Sequence, residues 1–116
     1  MKRGDLYWAE LEPRSGSEQR GRRPVVIISN DGFNDVPEWR SIIVVPVSSS
    51  RRQIARGPTI IPLSGAGSVL SPNSAAICHQ ITTLDRAKLS SRIGTLAPED
   101  LKDIEHGISA ACDLPL

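Results

Sequence analysis

The segment "SEQRGRRPVVIIS", Ser17 to Ser29, sets one acid and three arginines, Arg20, Arg22 and Arg23, directly before an unbroken apolar run. Five donors in a planar, permanently charged fork suit a phosphate. Arg23 immediately precedes Pro24, so it is tied to the start of a rigid strand and its guanidinium can be aimed. The bland alternative is a solvated loop that keeps an apolar strand soluble. A second polar cluster, "SSSRR" at 48–52, follows a second apolar run, "IIVVPV". Read alone, it is a flexible turn. If the two runs lie in one sheet, however, the Ser48 hydroxyl at the end of one meets Arg23 at the mouth of the other, and both face one anion.

A third stretch, "CHQITTLDRAKL", puts His79, Gln80, Thr82 and Thr83 on a short strand. A lone histidine on such a strand is more often a hydrogen-bonded structural residue than a catalyst. Gln80 and Thr83 carry the donor and acceptor pairs that read base edges, as do many exposed strand residues. Gly65 and Gly67 in "SGAGSVL" are followed by neither Lys-Ser/Thr nor a nucleotide fingerprint and read as turn residues. His106 has no acid or nucleophile suited to it nearby and receives no role. Cys78 and Cys112 stand in apolar surroundings without metal-ligand spacing, which predicts reduced, buried thiols and no zinc site.

These side chains need a frame. "RGDLYWAELEP" fits an opening strand closed by Pro13, and 14–22 reads as a loop. "PVVIIS" and "SIIVVPVSSS" are short β-branched runs that suit strands buried on both faces, with Pro46 marking an edge or a bulge. Between them "NDGFNDVPEWR" has turn residues at turn spacing and predicts a loop with little regular structure. Further strands are expected at "PTIIPL", "SAAICHQITTL" and "SRIGTL", separated by "SGAGSVLSPN" and "DRAKLS". After Pro98 the period changes. Leu101, Ile104, Ile108 and Ala111 or Cys112 recur at helical spacing, with Glu99 and Asp100 in the first turn. The expected fold is a β-rich α+β domain, a partly open barrel closed by one amphipathic C-terminal helix.

Length and charge set the bounds. With 116 residues the chain is expected to form a single domain, 1–116. Its net charge of +1 does not itself suggest a polyanion, yet the arginines cluster, so local field matters more than the sum. No apolar run approaches the roughly 18 residues that cross a bilayer, and the start lacks the apolar stretch of a secretory signal. A cytoplasmic protein with no membrane association is expected.

In order, "RGDLYWAELEP", "GSEQRGRRPVVIISND", "IIVVPVSSS", "CHQITTLD" and "GTLAPEDL" resemble the MazF/PemK family of toxin endoribonucleases from type II toxin–antitoxin pairs, over nearly the whole chain. The most specific block is Gly16-Ser17-Glu18-Gln19 followed by Arg23-Pro24. The resemblance implies an SH3-like barrel, a homodimer, sequence-specific cleavage of single-stranded RNA without metal or cofactor, and inhibition by a cognate antitoxin. It makes Arg23 the catalytic arginine and Ser48 the hydroxyl, more usually Thr, beside it. Glu18, Gln19, Asn30 and Gln80 match positions that line the RNA groove; Ser17, Arg20, Arg51 and His79 join them as candidate RNA contacts. His79 departs from the family pattern, where that position varies among Asp, Glu and other residues.

Cleavage of this type uses the RNA's own 2′-hydroxyl as nucleophile. Arg23 supplies preorganised charge over the developing phosphorane. A guanidinium with a pKa above about 12 is a poor base, so proton abstraction falls to Glu18, or to His79 if it faces the groove; alternatively Glu18 orients Arg23 or contacts a base. The aromatics are Tyr7, Trp8, Phe33 and Trp39, two of them in the first strand, so hydrogen bonds rather than extensive stacking are expected to read the RNA. The antitoxin is expected to lay an acidic, initially disordered segment across the same groove. The rival readings are a non-enzymatic, CcdB-like gyrase-poisoning toxin of the same fold and a degenerate relative that only sequesters an antitoxin.

Overall fold

In the computed structural model, residues 1–11, 21–49, 57–63 and 70–115 are described. The apolar runs form strands: β1 (Asp5–Leu11), β2 (Gly21–Ile27), β3 (Ser41–Ser48), β4 (Ile60–Pro62), β5 (Ala75–Ile77), β6 (Thr82–Asp85) and β7 (Leu89–Thr95). Successive strand side chains point to opposite faces, and here both faces are covered. Val26 and Val45 join Leu6, Leu63, Ala76 and Ile104 in one apolar cluster. Val25, Ile27, Ile42 and Val44 join Ala9, Leu11 and Leu84 in another. Double burial explains why β2 and β3 are continuous apolar runs rather than alternating ones.

Among the described residues the seven strands form one sheet in the order β4-β5-β3-β2-β1-β7, with β6 also on β3. Two ends remain, so the sheet is open. The strand expected over "SAAICHQITTL" is broken: β5 ends at Ile77, a 3-10 turn takes Cys78–Gln80, and β6 starts at Thr82. The break lets two short strands share one edge of β3, β6 along Ser41–Val44 and β5 along Val47–Ser48. Pro46 falls in the gap between them, still opposite Val25 of β2. Its missing N–H therefore interrupts no pairing on the side where the partner changes; it marks a seam rather than the sheet's edge.

The stretch expected to be irregular, 30–40, holds a short helix, α1 (Asp31–Asn34). Polar side chains make it. Asn30 Oδ1 accepts from Gly32 N–H at 2.7 Å, and buried Asn34 donates to the Ser29 carbonyl at 2.8 Å. Arg86 then fans onto the carbonyls of Asn34, Val36 and Trp39, each at 3.0 Å. The C-terminal helix, α2 (Pro98–Cys112), forms as its period predicts, with Pro98 opening it and Glu99 and Asp100 in its first turn. Ile104 is fully buried in the first cluster and Ile108 packs against it. Gly107 brings the helix onto the corner: a Cβ there would stand 2.6 Å from Cys78 Sγ and 3.0 Å from Ile61. Cys78 is buried as expected, but Cys112 is exposed. At the helix end it is Ala111 that is partly covered, since adjacent helix positions point about 100° apart and Ala111, not Cys112, continues the Ile104–Ile108 face.

Candidate active site

In β1 and β2, Trp8 faces Pro24, Ala9 faces Arg23 and Glu10 faces Arg22. In β2 and β3, Val25 faces Pro46, Val26 faces Val45 and Ile27 faces Val44. Carried two residues further, that register sets Arg23 against Ser48. On its other side Ser48 pairs with Ala75, which brings Ser74 alongside. At this end of the strands a cavity of about 320 Å³ opens, lined by Trp8, Arg22, Arg23, Pro24, Val47, Ser48, Ser49, Leu70, Ser71 and Ser74. Ser48 is buried, 7% exposed, while Arg23 is exposed. The hydroxyl is thus fixed in the wall and the guanidinium projects at the mouth.

The described lining holds two arginines, four serines and no carboxylate. Such a cleft attracts and holds an anion, with two forked cations and hydroxyls that donate or accept. Arg22 does not wave freely either: its guanidinium carbon lies 4.5 Å from the centroid of the Trp8 ring, at cation–π distance.

A family model described as PemK-like, MazF-like toxin of type II toxin-antitoxin system matches residues 2–111. The chain belongs to this toxin family. It is 34% identical over 114 residues to an endoribonuclease MazF of Staphylococcus saprophyticus, covering 98% of this chain and 92% of that protein. Solved MazF-type folds superpose well. An endoribonuclease from a Mycobacterial species, in complex with its cognate antitoxin, aligns with TM-score 0.79 at 23% identity, covering 100% of this chain and 98% of that one. MazF from Deinococcus radiodurans aligns with TM-score 0.78 at 21% identity, covering 97% and 96%. At that identity the likeness establishes the MazF-like fold.

Of the candidate residues in this MazF-like chain, Arg23 and Ser48 meet at the cavity. Asn30 caps α1 from beyond the opposite end of β2. His79 and Gln80 occupy the 3-10 turn at the far end of β5 from Ser74. There His79 Nδ1 lies 2.7 Å from Thr59 Oγ1. Ser17, Glu18, Gln19, Arg20 and Arg51 lie outside the described residues. Trp8 and Ser74 were not singled out from the sequence. Their place depends on strand register, for which neither carries a local signal.

Several groups whose titration the fold displaces lie elsewhere in the molecule. Burial pushes the Cys78 thiol up to about 12, which keeps it neutral and unreactive. The backbone N–H of Arg3, donating at 2.7 Å, and the Asn34 amide hold Asp31 below the usual carboxylate range. Burial, helped by Asp103 and Glu99, raises Asp100. Among the described residues no three His, Cys, Asp or Glu side chains gather as a possible metal site, and no helix is long and apolar enough to cross a membrane.

Proposed function

We propose that this MazF-family chain, acting as one toxin domain, is a sequence-specific endoribonuclease that cuts single-stranded RNA without a metal. The observation that carries the reading is the convergence of Arg23 and Ser48, 25 positions apart, on one cleft rich in arginine and serine. The RNA's 2′-oxygen attacks the adjacent phosphorus, the bond to the 5′-oxygen breaks, and a 2′,3′-cyclic phosphate and a 5′-hydroxyl form. Arg23 places two N–H donors and a full charge on the equatorial oxygens as negative charge grows there. Ser48 holds a phosphate oxygen from the wall and keeps the phosphorus in line. Glu18 takes the proton from the 2′-hydroxyl, and solvent water protonates the departing 5′-oxygen. His79 stands at the far end of β5, which leaves it a role in base preference.

The protein acts in the cytoplasm as a homodimer, and a cognate antitoxin silences it by laying an acidic segment over the arginines. The gyrase-poisoning reading is not favoured, since the family match and the Staphylococcus relative are both of the MazF type. The purified protein, incubated with a long single-stranded RNA in excess chelator, is expected to give discrete fragments with cyclic phosphate ends. Intact RNA, or fragments that need added metal, would overturn the proposal.

A further inference from the structure

The cavity is larger and greasier than a phosphodiester requires. Its volume of about 320 Å³ falls in the range of sites that enclose a small organic ligand, about 300–1,000 Å³. Trp8, Pro24, Val47 and Leu70 give it an apolar wall beside the two arginines. A bare anion gains nothing from an indole or a leucine. A ligand with a flat apolar face joined to a phosphate uses both, and in RNA that ligand is a nucleotide. Strand alternation also divides the two arginines. Arg22 lies on the same face of the sheet as Trp8 and Pro24, and Arg23 on the face of Ala9. The Arg22 guanidinium carbon stands over the Trp8 ring, 4.5 Å from its centroid, so a planar cation and an aromatic ring are held together at one place. Guanidinium planes and aromatic rings are the two surfaces on which unpaired bases stack.

We infer that the Trp8–Arg22 pair is a stacking subsite for one nucleobase beside the scissile phosphate, and that it senses the presence of that base rather than its identity. The inference rests on the RNA-cleaving reading above. Stacking tolerates all bases because each has a π-face. Among the described residues, the nearby polar side chains Ser49, Ser71 and Ser74 are hydroxyls that donate and accept alike, so they do not select one base edge. Choice of sequence then falls to other parts of the groove.

The test uses a short RNA containing a mapped cut site, made uncleavable by 2′-deoxy substitution at the attacking nucleotide, with binding followed by fluorescence anisotropy. Removing single bases along the strand is expected to reveal one position next to the cut where loss of the base weakens wild-type binding by about tenfold or more, the effect of a stacked base. Exchanging the base at that position should change binding by less than about threefold, as sequence-tolerant stacking requires. In Arg22→Ala the same base removal should lose most of its effect, and Arg22→Lys should behave like Arg22→Ala, because an ammonium keeps the charge without the plane. Wild-type binding by Arg22→Lys, a flat abasic scan, or a base exchange as harmful as base removal would each overturn the inference. Failure of the wild-type protein to cut the parent RNA would instead strike the cleavage reading.

Discussion

The proposed mechanism gives Ser48 a role that Thr more usually fills in the family resemblance, and the setting of Ser48 can fix the smaller side chain. Ser48 is 7% exposed and closes the end of β3 between β2 and β5, so its rotamers are limited by neighbours rather than by a β-branch. If, as proposed, its contact with the phosphate strengthens as the transition state forms, Ser48→Ala is expected to slow single-turnover cleavage by about 100-fold with a much smaller change in RNA affinity. An unchanged single-turnover rate would remove the role. That Arg23 and Ser48 meet at one cavity was legible in the sequence because each is placed where an apolar run begins or ends. Trp8 was not: an aromatic in a first strand reads as core until pairing shows that it faces Pro24 and lies under Arg22.

The strands were legible from their short β-branched apolar runs and the long helix from its period, whereas the corner at Cys78–Gln80 was not, since an apolar run carries no mark of where its strand changes neighbours. Four-residue α1 was missed for a related reason: one turn has no period, and it is held by Asn30, Asn34 and Arg86 instead. The corner matters because it frees β5 to flank Ser48. It is also where α2 comes closest, at Gly107. Gly107→Ala gains about 1 kcal/mol of helix propensity but drives a methyl against Cys78 Sγ and Ile61, and overpacking typically costs about 1–3 kcal/mol. A net fall in Tm is expected from thermal unfolding. An equal or higher Tm would mean that the helix backs away without loss.

For the molecule as a whole, Asp100 links stability to pH. It is buried in the first turn of α2, and its Oδ2 has no hydrogen-bond partner among the described residues. Burial raises its pKa in the folded state. Below the unfolded value of about 4 both states hold the proton and there is no penalty; the penalty grows as pH rises through the window between the two values and is complete above the raised one. Asp100→Asn is therefore expected to raise Tm at about pH 7 and to leave it unchanged at about pH 3, where the native carboxyl is neutral as well. The opposite pH dependence would show that the carboxylate is stabilised where it lies. The same fold unites Arg23 and Ser48 at one cavity, and the proposed cleavage depends on that union. Its most direct test is the single-turnover rate of Arg23→Ala on a mapped RNA substrate, with folding checked by circular dichroism. A fall of at least about 100-fold in a folded protein that still binds the RNA is the predicted result, the usual effect of losing one preorganised contact to developing charge. Cleavage by that variant at the wild-type rate would contradict the assignment of this cleft as the site of chemistry.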